Sequence, residues 1–133
     1  MVLATVIIAY LQHSQQQALL KIKSLELANH AAQAADAFRV LKVEPQSEYE
    51  RYRALFHLRS FKVELSNLAS FVQSQTYVTA SDQMLVQGEL DENRVTKLSE
   101  SLFEAEQALA ELSNRKFIGK SNIREVLSKI EVE

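Results

Sequence analysis

Between residues 54 and 72 the apolar side chains fall at Ala54, Leu58, Phe61, Leu65, Leu68 and Val72, in steps of 4-3-4-3-4. That spacing places all six on one face of an α-helix, whereas a strand would scatter them over both of its faces. The same rhythm returns at Val95, Leu98, Leu102, Ala105, Leu109 and Leu112. Seams this regular, kept over about three heptads, mark long helices packed on other helices. Sharp turns are scarce, because the 133 residues include only 2 Gly and 1 Pro. The expected class is all-α: an antiparallel helical bundle of three long helices plus one or two short helices. With no linker long enough to divide the chain, residues 1–133 read as a single helical-bundle domain.

The boundaries are signalled locally. A first helix runs from the N-terminus to about Leu41 and is stopped by Pro45, which disfavours helical geometry at Glu44. A second begins at Ser47, where Ser47-x-x-Glu50 reads as a capping box, and is expected to reach Ser74–Tyr77. A short helix over Asp82–Gln87 would end at Gly88. Asp91 then caps the third long helix, with Arg115 and Lys116 complementing its dipole and Gly119 suiting a left-handed C′ position. A last amphipathic helix is expected from Ser121 or Asn122, burying Ile123, Val126, Leu127 and Ile130.

The first helix carries two candidate seams. One steps through Leu11, Gln15, Ala18, Ile22, Leu25, Asn29, Ala32 and Asp36. A neighbouring line holds Leu20, Leu27, Ala31, Ala34, Phe38 and Leu41, and the two together predict one wide apolar face. Asn29 and Asp36 interrupt the first seam. A buried Asn can fix register or partner number, but a drift of the seam onto the Leu27–Ala34–Leu41 line is the simpler expectation.

Ahead of both lies the best functional clue. The first twenty residues contain no Asp, Glu, Lys or Arg, and Val2 to Leu11 are apolar except for Thr5. Measured at roughly 1.5 Å per residue, the first helix outruns the second by about a dozen residues. The overhang is the segment 1–12, an apolar N-terminal extension or the remnant of a membrane anchor. Burying one Leu, Ile or Val is worth on the order of 1.5–3 kcal/mol, so such a segment seeks cover. Three covers are conceivable: a membrane, other copies in an oligomer, or a fold-back onto the chain's own bundle. A spanning helix needs about 20 apolar residues, so about ten would be part of a longer span or be completed by other helices. Leu3, Val6, Ile7, Ile8, Tyr10 and Leu11 are the expected attachment residues. Lys21 and Lys23, just beyond, would place the bundle on the cytoplasmic side of such a membrane; otherwise the protein is expected in the cytoplasm.

Composition limits the chemistry. With no Cys there are no disulfides, thiolate nucleophiles or Cys-based metal sites. Glu26 and His30 share a helical face, yet no Glu-x-x-His occurs, so a di-iron carboxylate bundle is not expected. His57 lies among Arg51, Arg53, Arg59 and Lys62, interleaved with Tyr49, Tyr52, Phe56 and Phe61. Basic-plus-aromatic bands can bind nucleic acid or acidic lipid head groups, but Glu48, Glu50 and Glu64 in the same helix point to an ordinary charged face. A net charge of −2 also argues against nucleic acid. Two glycines cannot build a phosphate loop or a nucleophile elbow. No enzyme, cofactor or metal is expected.

The expected role is therefore a non-catalytic interaction, scaffold or signal-input module, attached to a membrane or an oligomer through residues 2–11. The alternative is a soluble helical adaptor that meets a basic protein partner through its acidic C-terminal third. Glu100, Glu104, Glu106 and Glu111 would form that surface.

Overall fold

In the computed structural model, which describes residues 2–74, 77–78 and 91–132, the chain is an all-α bundle built on one very long helix. Helix α1 covers Val2–Val43, α2 Glu48–Phe71, α3 Glu92–Ser113 and α4 Lys120–Lys129. Both α2 and α3 pack on α1, which is the common partner of the bundle. Ser99 on α3 donates to the Ala35 carbonyl at 3.3 Å, while Gln17 meets Ile118 just beyond the far end of α3, so α1 and α3 run antiparallel. The short connection through Pro45 returns α2 along α1 in the opposite direction as well, bringing Glu64 and Asn67 beside Lys23 and Glu26.

The seams of α2 and α3 are buried as expected: Ala54, Leu58, Phe61, Leu65 and Leu68 on one, Val95, Leu98, Leu102, Ala105, Leu109 and Leu112 on the other. On α1 only one of the two candidate seams enters the core. Leu20, Leu27, Ala28, Ala31, Ala34, Ala35, Ala37, Phe38 and Leu41 are buried. Leu11, Ile22 and Leu25 are about half exposed or more (52%, 54% and 51%), and Asn29 and Asp36 lie in solvent. Asp36 pairs instead with Arg39 at 3.0 Å. The expected single wide face is thus two faces, nearly opposite on the helix at 100° per residue. The bundle takes the alanine-rich one, whose small side chains let neighbouring helices approach closely. From Leu27 to Leu41 that line has no polar interruption, whereas the other would bury Asn29 and Asp36 at a desolvation cost. The one buried polar side chain on α1, Ser24, is satisfied within its own helix by donating to the Leu20 carbonyl at 2.8 Å.

Several ends differ from the sequence reading. Ser47 accepts from the Glu50 backbone N–H at 3.3 Å, as in a capping box, but the Glu50 carboxylate turns to Arg53 at 3.0 Å. Helix α2 stops at Phe71 rather than at Ser74–Tyr77. Gln73 adopts φ 57°, with Ser74 N–H bonded to Ala69 O (2.8 Å) and Gln73 N–H to Ser70 O (3.3 Å). These two bonds form a Schellman motif with glutamine in the place glycine usually takes. Asp91 caps α3 as expected, accepting from Arg94 N–H at 2.7 Å. Gly119 is not the C′ residue of α3. Its φ of −110° is extended, and it is the N-cap of α4, its N–H donating to the Asn122 side chain at 3.0 Å. Helix α4 therefore begins at Lys120, slightly ahead of its expected start. A two-residue parallel pairing, unforeseen from the pattern, joins β1 (Tyr77–Val78) to β2 (Glu131–Val132). The short helix expected over Asp82–Gln87, with Gly88, lies outside the described residues.

Candidate functional site: the free arm and outer stripe of helix α1

Helix α1 has 42 residues against 24 in α2, a difference of about 27 Å at 1.5 Å per residue. The bundle ends on it at Gln17. There the side-chain amide accepts from the Ile118 backbone N–H at 2.7 Å and donates to the Ile118 carbonyl, as a neighbouring strand would. One turn further in, Lys21 Nζ donates to the Lys116 carbonyl at 3.2 Å. These contacts fix the point where α1 leaves its partners, and residues 4–16 are exposed throughout. Val6, Ile7, Ile8, Tyr10 and Leu11 all stand in solvent, Tyr10 at 70%. Leu3 belongs to α1, but its side chain lies outside those described. Of the three conceivable covers, a fold-back onto the described helices is not what the bundle forms: the arm projects past α2 and α3, because α1 continues as a helix where these neighbours end.

The apolar surface does not stop with the arm. Leu19, Ile22 and Leu25 continue it along the outer side of the bundle. Ile22 and Leu25 lie nearly opposite the buried Leu20–Leu27–Phe38 line, with Leu19 on the flank between, so α1 is apolar on two sides. No described helix is long and apolar enough to cross a membrane.

The acidic candidates are divided. Glu100 and Glu104 line a shallow groove of about 420 Å³ beside α4, together with Lys97, Lys129 and Glu131. Glu111 shares their flank by helical spacing and sits 3.8 Å from Arg115. Glu106 falls on the other flank of α3. The groove mixes both signs of charge.

His57 is partly buried on α2, its ring edge-on to Phe56 at 5.5 Å between centroids. It titrates below the ordinary imidazole value of 6.5, because burial disfavours the imidazolium and because Arg53 and His30 add positive charge nearby. The unfolded chain consequently binds a proton there more readily. Folding stability should be fully present above about pH 6.5 and should decline as pH falls towards the lowered value. Urea unfolding of the wild type and of His57→Gln across this range checks it; the variant should lack that component. Among the described residues, no three or more His, Asp or Glu side chains gather as a metal site requires.

No protein-family model matches the chain, and no curated protein or solved structure shows significant similarity to it.

Proposed function

We propose that the protein is a non-catalytic attachment module, whose bundle is held at a membrane or in an oligomer by the apolar arm of α1. The observation that carries this reading is the exposed, uncharged run from Ala4 to Leu11, projecting beyond α2 and α3, the described helices that pack on α1. Contiguous exposed apolar surface of this kind marks interaction sites on soluble folds. A polar surface would have sufficed had the arm served only as a spacer. The bundle then acts as the scaffold or signal-input part.

The test compares the full chain with a version lacking residues 2–11. Those residues lie beyond the Gln17–Ile118 contact, so the shortened protein should keep its melting temperature and helical spectrum. The full chain should either float with vesicles of phosphatidylcholine and phosphatidylglycerol or sediment as whole multiples of its mass, and the shortened one should do neither. Identical behaviour of the two in both assays refutes attachment through residues 2–11.

A further inference from the structure

The stripe left outside the bundle has the internal pattern of a two-stranded coiled coil. Stepping 4-3 from Ala4, it passes through Ile8, Leu11, Gln15, Ala18, Ile22, Leu25, Asn29 and Ala32. In heptad notation Ile8, Gln15, Ile22 and Asn29 occupy a positions, while Leu11, Ala18, Leu25 and Ala32 occupy d. Ile8 and Ile22 at a with Leu11 and Leu25 at d favour two parallel strands, and polar residues at a, here Gln15 and Asn29, fix register at a cost in stability. We propose that the partner of this face is a second copy of the same chain, the two α1 helices pairing in parallel and in register from about Ala4 to Ala32. This pairing rests on the attachment role proposed above and names its partner.

Charge complementarity argues for this occupant over a lipid surface. In a parallel pair each g residue faces the e residue five positions further along the other helix. Lys21 is at g and Glu26 at e, so a symmetric pair sets Lys21 of each copy against Glu26 of the other. The Lys21 ammonium has three donors, and its bond to the Lys116 carbonyl leaves two for that contact. An antiparallel pair would place g against g and e against e, losing the match. Gln15 and Asn29 side chains each carry donor and acceptor, so each can bond to its own copy across the seam. A bilayer would gain nothing from Glu26 or Asn29. Geometry permits the pairing, since the buried face lies nearly opposite and both bundles would sit on the outside. The seam also ends sensibly: the next two positions, Asp36 and Arg39, are paired with each other within one helix.

The intact chain should sediment at twice its 15.1 kDa mass. Ile22→Glu with Leu25→Glu should reduce it to a monomer, with helical content and melting of the bundle retained, since both side chains point away from it. Lys21→Glu should weaken association roughly tenfold, by removing two exposed ion pairs and adding like charge, and Lys21→Glu with Glu26→Lys should restore it. Because the chain has no Cys, Ala18→Cys supplies a second, conservative check. In a parallel, in-register pair each d residue meets itself, so air oxidation should yield a disulfide-linked dimer. Failure of that cross-link overturns the register, and a dimer that survives the double Glu substitution overturns the surface. A monomeric full chain that floats with the same vesicles, while the chain lacking 2–11 does not, refutes the pairing and leaves the attachment role standing. A monomer that does not float refutes both.

Discussion

Replacing Phe61 with alanine should destabilise the bundle by about 3–5 kcal/mol, whereas Phe56→Ala, five residues earlier on the same helix, should cost under about 0.5 kcal/mol. Phe61 is wholly buried and Phe56 is 64% exposed. Truncating the first removes the apolar contacts of a large ring and leaves a cavity that rigid neighbouring helices close only in part. Truncating the second removes little beyond the edge contact with His57. For a chain of this length the first loss corresponds to a melting temperature lower by roughly 11–18 °C. Urea unfolding of both variants measures the difference. Similar losses at the two sites would mean that α2 presents a different face to α1.

Enlarging a small residue should be nearly as damaging. Ala34→Leu should cost about 1–3 kcal/mol, although leucine is nearly as good a helix former as alanine. Ala34 is fully buried on α1, on a broad buried face that also holds Ala28, Ala31, Ala35 and Ala37, where the small side chains set how closely α2 and α3 can lie. Extra carbons there must push a neighbouring helix away or adopt a strained rotamer. A lower urea midpoint with an unchanged slope would locate the loss in packing alone. A variant as stable as the wild type would show that the alanine face is not closely packed.

What could be read from the sequence followed the strength of the local signal. The seams of α2 and α3 are single and uninterrupted, and each is buried where its spacing put it. Asp91 declares its cap because a carboxylate can accept an N–H that the helix leaves unpaired. Helix α1 resisted the same reading because it bears two seams, and spacing alone does not say which one the rest of the chain will cover. The choice is made by tertiary packing, through the close approach that alanine allows. Gln73 in a left-handed conformation carries no compositional signal, so the sequence pattern runs α2 past its actual end at Phe71. Gly119 marks a boundary in the sequence, but whether it ends α3 or begins α4 depends on its φ, which only the folded chain sets. The exposure of Val6, Ile7, Ile8, Tyr10 and Leu11 follows from length, because α1 continues well past the described helices α2 and α3.

The length of α1 has one more consequence. From Val2 to Val43 it contains neither glycine nor proline, the residues at which helices most often kink. The free arm and the bundled part are one stiff rod without a hinge. A sideways force on Tyr10 is therefore not absorbed where the arm meets Gln17. It acts as on a lever, tilting the rod against α2 and α3 and reaching the Pro45 turn at the far end.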